Sequence, residues 1–219
     1  MHSELLSGLE VRRYSQQIEL PSVGLPGQEK IKKSKVLVAG AGSKGTSLMQ
    51  HLVTAGIGKI GISDNSPVEE RVLPNQTLYG NSDLGKQKAI ISKYKLGDIN
   101  HLPEIELHNV YLTEKNCKQI CNDYDILVDA SDNLTAHHLI NDTAIRLNKP
   151  VIYGSVYNSQ AHISVFNYNN GPSFRCMYNQ ISEDKKSSRF DGIVNIGIIS
   201  GIAGTIMANE VLKVILGLP

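Results

Sequence analysis

A glycine-rich turn that follows a short apolar strand is the feature that most constrains this chain. The apolar run at residues 36–38 leads into Gly40, Gly42 and Gly45, which form the pattern G-x-G-x-x-G. Glycines at these positions let the backbone turn tightly and approach phosphate groups closely, and the helix that follows offers free N–H groups and a partial positive charge. The turn therefore predicts a phosphate site at the start of a helix.

The residues after the turn supply the context that such a motif requires. A helical pattern covers residues 47–55, and a second short strand at residues 59–63 ends at Asp64. The Asp64 carboxylate is placed to accept hydrogen bonds from a ribose. A tight strand–helix–strand crossover without any ligand shows the same pattern, so the motif alone leaves that alternative open.

The alternation of strands and helices predicts the fold class. It continues to about residue 155, which indicates an α/β fold with a Rossmann-like, doubly wound and mostly parallel sheet. After that point we expect an antiparallel extension and a core helix rich in small residues. We interpret residues 1–219 as a single domain with three parts: a helical arm (1–34, with one helix over 1–20), a nucleotide-binding core (35–155) and a C-terminal part (156–219).

Composition narrows the classes of partner. The 219 residues carry 22 basic and 21 acidic side chains, and Trp is absent. Nothing in this balance points to nucleic acid or to an anionic membrane surface, and we expect neither partner. We see no apolar leader, and we expect that no apolar run is long enough to span a bilayer. Three cysteines without a disulfide framework favour a reducing, cytoplasmic setting.

Six ordered segments together resemble one known family. They are RRYSQQIELPSVGLPGQEKI, VLVAGAGSKG, NQTLYGNSDLGKQKA, LVDASDN, ISVFNYNNGPSFRC and GIISGIAGTIMANEVLKVILG. Over nearly its whole length the chain resembles the ThiF/MoeB/HesA family, relatives of the ubiquitin-activating enzymes, and is most similar to the bacterial thiamine-pathway branch. The resemblance implies a homodimer that uses ATP and Mg²⁺ to adenylate the C-terminal glycine carboxylate of a ubiquitin-like sulfur carrier with a Gly-Gly tail.

The same resemblance assigns roles to individual residues. The glycine turn and Asp64 match the nucleotide-binding positions. Lys88 matches the lysine that meets the ATP phosphates, Asp132 matches the carboxylate that holds Mg²⁺, and Asn133 is placed to hydrogen-bond the nucleotide. Without the resemblance, the favoured interpretation of Lys88 is a solvated helix lysine and that of Asp132 is a helix N-cap; with the resemblance, the functional roles are favoured.

Several positions depart from the family pattern around the expected phosphate contacts, and one departure is Ser43-Lys44, which replaces Gly-Leu in the glycine turn. Gln16 and Asn75 stand where the family usually has arginines, and Val72 stands where it usually has asparagine. Two phosphate-facing cations are therefore missing, although Lys44 in the glycine turn and Arg71 in the following loop offer replacements. We predict that at least one of these two cations faces the phosphates and acts in catalysis.

Cysteine positions and the variable loops leave several readings open. Cys176 lacks the second cysteine of the family's zinc pair, so we expect no zinc, and we interpret Cys117 and Cys121 as buried thiols. The polar segment 179–191 is a candidate cover over the carrier tail.

Alternative functions are adenylation of a peptide or small-molecule carboxylate and a non-catalytic nucleotide-binding scaffold. An NAD-dependent oxidoreductase is disfavoured.

Overall fold

The computed structural model describes residues 5–157, 159–178 and 196–219. Within them the helices are α1 (Gly8–Arg13), α2 (Ser15–Ile18), α3 (Gly24–Lys33), α4 (Ser43–Ala55), α5 (Lys88–Ile99), α6 (Cys117–Asn122), α7 (Leu134–Leu147), α8 (Phe174–Met177) and α9 (Gly197–Leu216). The strands are β1 (Lys35–Ala39), β2 (Lys59–Ser63), β3 (Glu104–His108), β4 (Ile126–Asp129), β5 (Val151–Tyr157) and β6 (Gln160–Phe166). The segment expected to cover the site, 179–191, lies outside the described residues.

The strands form one sheet in the order β3-β2-β1-β4-β5-β6. All neighbours pair in parallel except β5 and β6, which form an antiparallel hairpin. This arrangement confirms the predicted Rossmann-like, mostly parallel sheet with an antiparallel extension. From β1 the chain adds β2 and β3 on one side of the sheet, and from β4 it adds β5 and β6 on the other side. A crevice opens where two such halves meet, at the carboxyl ends of the strands.

Helices cover both faces of the sheet and close two apolar cores. One core packs α4 and α9 against β1, β2 and β5, and the other packs α6 and α7 against β1, β4 and β5. Val36, Leu37 and Val38 are each at most 1 % exposed, because β1 lies at the centre of the sheet and is covered on both faces. This central burial fixes where the end of β1, and thus the glycine turn, lies.

The N-terminal arm differs from the single helix expected over residues 1–20. It forms α1 and α2 with a break at Tyr14, whose ring turns inward and is 2 % exposed. The Tyr14 hydroxyl accepts a hydrogen bond of 2.9 Å from the Asn100 side chain. Gly56 lies directly against the ring, since a Cβ there would stand 2.5 Å from it. The helix is broken because this buried contact requires the chain to turn.

Helix α9 packs closely against α4 and the sheet, as its small residues predicted. A Cβ on Gly204 would lie 2.3 Å from the Lys44 carbonyl oxygen, so only glycine allows this approach. The opposite face of α9 exposes Ile198, Ile202 and Ile206, at 69 %, 50 % and 43 %. The expectation that no apolar run is long enough to span a bilayer was wrong for α9, which alone among the described helices has the length and composition of a membrane span. We interpret it as a core helix because its other face is buried in the fold.

Candidate active site

The glycine turn takes the geometry that its sequence pattern predicted. Gly40 has φ +106°, and a Cβ there would lie 2.8 Å from the Ala130 carbonyl oxygen. Gly45 lies one helical turn into α4, where a Cβ would be 1.9 Å from the Gly40 carbonyl oxygen. Gly40 therefore permits the turn and Gly45 permits α4 to pack against it. Gly42 is the N-cap of α4.

A cavity of about 1000 Å³ opens at this turn. It lies at the carboxyl ends of β1, β2 and β4, where an open α/β sheet binds its ligands. Seven of the predicted site residues line it: Gly40, Gly42, Asp64, Arg71, Lys88, Asp132 and Asn133. Gly45 and Lys44 do not line it, because Gly45 packs against the turn and Lys44 lies behind Asp132.

Asp64 connects the glycine turn to the second strand. Its Oδ2 accepts a hydrogen bond of 2.8 Å from the Ala41 amide, and its Oδ1 accepts bonds from the Ser66 amide (2.7 Å) and hydroxyl (2.5 Å). The residue is 6 % exposed and borders the cavity. An ionised carboxylate has about four acceptor positions, so Asp64 can hold the turn and still accept a ribose hydroxyl.

Lys88 places a largely buried side chain, which carries an ammonium group, at the wall of the cavity. It is the first residue of α5 and is 8 % exposed. Its backbone amide donates to the Ser66 carbonyl at 3.0 Å, which ties α5 to the loop after Asp64. No carboxylate of the described residues lies within ion-pair distance of the Lys88 Nζ. The structure rules out a solvated helix lysine, and a buried cation without a counter-ion favours an anionic ligand.

Asp132 and Lys44 form an ion pair at the same end of the sheet. The Lys44 Nζ contacts the Asp132 Oδ1 and donates to the Ser131 carbonyl at 3.3 Å. The Lys44 side chain is 4 % exposed, whereas that of Asp132 is 63 % exposed. The N-cap of α7 is Asn133, whose Oδ1 accepts from the Ala136 amide at 2.7 Å. Asp132 is therefore not the helix cap, and its carboxylate faces the cavity.

The departures from the family pattern occupy different environments. Val72 lines the cavity beside Arg71, whose side chain is 82 % exposed and pairs with Glu69 at 2.6 Å. Asn75 packs instead against the start of α9, and Gln16 is exposed away from the cavity. Of the two replacement cations, Arg71 borders the cavity directly and Lys44 contacts it through Asp132.

A second polar cluster, at the start of α7, has no counterpart in the sequence predictions. Buried Asp129 accepts hydrogen bonds of 2.7 Å from His137 Nδ1 and 2.6 Å from the Ser131 hydroxyl. Burial alone would raise the pKa of Asp129, but His137 and Ser131 outweigh it and hold the pKa below its usual value. The cluster fixes the loop that carries Asp132.

The far side of the cavity contains further charged residues that the sequence reasoning missed. Arg175 pairs with Asp142 through two bonds of 2.7 and 2.6 Å, and Arg146 and Lys118 also border the cavity. His138 lies against it, 4 % exposed, and burial followed by the nearby Arg175 lowers its pKa. The helical register of α7 would have placed residues 138, 142 and 146 on one face, but nothing in the sequence placed that face at the cavity.

The cysteines lie apart from this chemistry. Cys117 and Cys121 are buried on α6, as expected, with their sulfur atoms 3.7 Å apart. Cys176 is exposed on α8 and does not line the cavity. The described residues contain no cluster of three or more metal-ligating side chains.

Comparison with known proteins identifies the family. A model described as the ThiF family matches residues 14–219. The chain is 36 % identical over 214 residues to a sulfur carrier protein adenylyltransferase of Thermus thermophilus, covering 95 % of this chain and 79 % of that protein. It is 38 % identical over 209 residues to a probable molybdopterin-synthase adenylyltransferase of Porphyra purpurea, covering 95 % of this chain and 55 % of that one.

A third relative and the solved structures agree with this assignment. The chain is 39 % identical over 213 residues to an adenylyltransferase and sulfurtransferase, MOCS3, of Aedes aegypti, covering 97 % of this chain and 48 % of the relative. The chain thus spans about half the length of two of these relatives. Among solved structures, PaaA superposes with a TM-score of 0.83 at 25 % identity, over 99 % of this chain and 68 % of that one. MccB of Escherichia coli with ATP gives a TM-score of 0.82 at 24 % identity, over 94 % and 64 %, and supports the fold alone.

The family match covers the six motifs, except for Arg12 and Arg13 of the first one, and the whole cavity region. The relatives are named as adenylyltransferases, which confirms the family predicted from the motifs. Because the match runs from Tyr14 to Pro219, it includes the arm from Tyr14 onward, the sheet and α9. The chain therefore belongs to the ThiF family.

Proposed function

We propose that this protein is an ATP-dependent adenylyltransferase that activates the C-terminal glycine carboxylate of a ubiquitin-like sulfur carrier. The observation that carries the proposal is Lys88, a largely buried lysine that has no counter-ion among the described residues and lies at the wall of a cavity that begins at a glycine turn. The names of the relatives, which include a sulfur carrier protein adenylyltransferase, support the choice of acceptor. A carrier of the thiamine or the molybdopterin type fits the proposal.

The reaction requires positioning and charge neutralisation. A carboxylate oxygen of the carrier attacks the α-phosphorus of ATP, the bond from the α-phosphorus to the bridging oxygen breaks, and pyrophosphate leaves with the bonding electron pair. The start of α4 and the Lys88 ammonium stabilise the developing negative charge on the phosphates. Asp64 keeps the turn in place and binds the ribose. The cavity holds both reactants at one end of the sheet.

The site also fits a magnesium ion in its donor chemistry. Mg²⁺ commonly binds one or two carboxylates and completes its shell with phosphate oxygens and water. Asp132 supplies one such carboxylate, open to the cavity. When bound, the ion would supply further neutralisation of the triphosphate. Asn133 contributes its remaining side-chain amide donors to the nucleotide side of the site.

The proposal includes a homodimer in a reducing, cytoplasmic setting. Three exposed isoleucines on one face of α9, Ile198, Ile202 and Ile206, form an apolar stripe on the surface. Exposed apolar stripes of this kind mark interaction surfaces, and a second copy of the chain offers an identical face. The free cysteines suit a reducing compartment.

Pyrophosphate exchange tests the proposed activity. Purified protein is incubated with ATP, Mg²⁺, labelled pyrophosphate and a panel of ubiquitin-like carriers that end in Gly-Gly, each beside a version lacking the last glycine. We expect label to enter ATP only with an intact carrier. Exchange with small-molecule or peptide carboxylates, and not with carriers, would show that the substrate belongs to that class instead. Nucleotide binding without exchange on any acceptor would leave a scaffold, which the substitutions Gln16, Val72 and Asn75 would then explain.

A further inference from the structure

The ion pair between Lys44 and Asp132 is strongly asymmetric in its exposure. Lys44 is almost fully buried, at 4 %, and Asp132 is open to the cavity at 63 %. The Lys44 ammonium is held in place by a second bond, to the Ser131 carbonyl at 3.3 Å. A ligand that enters the cavity therefore meets the Asp132 carboxylate first, with the ammonium of Lys44 behind it.

The position of Lys44 is unfavourable without this partner. Lys44 is the second residue of α4, where the positive end of the helix dipole repels a cation. Burying an ammonium group also removes its hydration. The carboxylate of Asp132 offsets both costs, so the pair stays together in the nucleotide-free protein. The buried ammonium of Lys44 therefore neutralises the Asp132 carboxylate on the side that faces away from the cavity.

This arrangement changes what a nucleotide meets in the cavity. An unpaired carboxylate at this position would repel the phosphates of ATP unless a divalent cation lay between them. Here the phosphates meet a neutral pair, together with the ammonium of Lys88, which also lines the cavity and has no counter-ion among the described residues. A divalent cation that binds Asp132 must approach Lys44, which carries the same sign of charge.

We propose that Lys44 and a divalent cation are alternative partners of Asp132, so that this protein binds ATP with little dependence on Mg²⁺. The inference rests on the proposed function, because it concerns the same nucleotide site. It assigns to Lys44 the neutralisation of Asp132, which in the family pattern falls to the metal. It concerns binding of the nucleotide, and the chemical step can keep its own metal requirement.

Calorimetric titration with ATP, in excess EDTA and in excess Mg²⁺, tests the inference. For the wild-type protein we expect the two dissociation constants to agree within about threefold. Lys44→Met leaves Asp132 unpaired, so binding in EDTA should weaken more than about tenfold and recover with Mg²⁺. Adding Asp132→Asn to Lys44→Met removes the carboxylate as well, and should restore binding in EDTA.

A metal titration gives a second readout that needs neither nucleotide nor activity. Mn²⁺ binding to the nucleotide-free protein is followed by electron paramagnetic resonance. We expect Lys44→Met to bind Mn²⁺ several-fold more tightly than the wild type, and Lys44→Met/Asp132→Asn to lose that gain. Lys59→Met is the matched control, because Lys59 pairs with Glu104 and Glu106 at the other end of β2. It should keep the wild-type behaviour in both titrations.

The outcomes separate this inference from the proposed function. If the wild-type protein binds ATP more than about tenfold more weakly in EDTA than in Mg²⁺, the competition between Lys44 and metal is wrong and the proposed activity still stands. If the wild type binds no ATP under either condition, the proposed function itself is wrong. The comparison of EDTA with Mg²⁺ on the wild type alone decides between these results even if a variant fails to fold.

Discussion

Replacing Lys88 with methionine separates the contribution of this residue to binding from its effect on stability. The side chain is 8 % exposed, and no carboxylate of the described chain pairs with its ammonium. Methionine keeps most of the length of the side chain and removes the charge. The variant should therefore lose affinity for ATP while the nucleotide-free protein becomes more stable.

The size of each effect follows from the environment of the ammonium group. A hydrogen bond to a charged group contributes about 1.5–3 kcal/mol, so ATP should bind about 10- to 100-fold more weakly to Lys88→Met. Removing a buried charge that lacks a partner should raise the free energy of unfolding by about 1–2 kcal/mol. For a chain of this size each kcal/mol shifts the melting temperature by about 2–4 °C.

Two measurements and one control variant test this prediction. ATP affinity is measured by calorimetry, and stability is measured by thermal melting without nucleotide. Lys93→Met is the control, because Lys93 is exposed on the same helix, and it should leave both quantities unchanged. A Lys88→Met protein that binds ATP as the wild type does, or that melts at a lower temperature, would refute the account of Lys88 as an unpaired phosphate ligand.

Three further variants test the turn, the polar cluster and the apolar stripe. Gly45→Ala places a Cβ 1.9 Å from the Gly40 carbonyl oxygen, so it should lower the free energy of unfolding in urea by about 2–4 kcal/mol, and an unchanged midpoint would contradict this packing. The pKa of Asp129 is lower in the folded protein than its usual value, so its charge stabilises the fold above about pH 4 and this stabilisation is lost as the pH falls through the folded pKa. Asp129→Asn should therefore melt below the wild type at pH 7, with a gap that narrows toward pH 3; a constant gap would contradict the shift. Ile202→Glu should convert the proposed dimer into a monomer in light scattering, whereas a wild-type protein that is already monomeric would refute the dimer.

The sequence was sufficient for the features that depend on local backbone geometry. The apolar strand at residues 36–38 had to lie inside a sheet covered on both faces, and the spacing of Gly40, Gly42 and Gly45 required a tight turn into a helix. Gly204 and its small neighbours on α9 predicted close helix packing. These constraints act within a few residues of the chain, so they can be read from one sequence.

Contacts between distant segments could not be predicted in the same way. The pair of Lys44 and Asp132 joins residues 88 positions apart, and neither local sequence indicates how deeply Lys44 is buried. The break at Tyr14 depends on Asn100, 86 positions away. Arg175 reaches the cavity because α8 packs on α7. Such features depend on the assembled fold, and the charged residues on the far side of the cavity were missed for this reason.

The proposed activity is tested most directly by detecting the acyl-adenylate itself. The protein is mixed with ATP, Mg²⁺ and an intact Gly-Gly carrier in a single turnover, and the carrier is examined by intact-mass spectrometry with and without hydroxylamine. The account predicts a carrier that gains one adenylyl group at its terminal carboxylate and becomes a hydroxamate when hydroxylamine is present. A protein that binds ATP tightly but leaves every carrier unmodified, with no adenylate and no hydroxamate, would contradict the claim that this site activates a carboxylate.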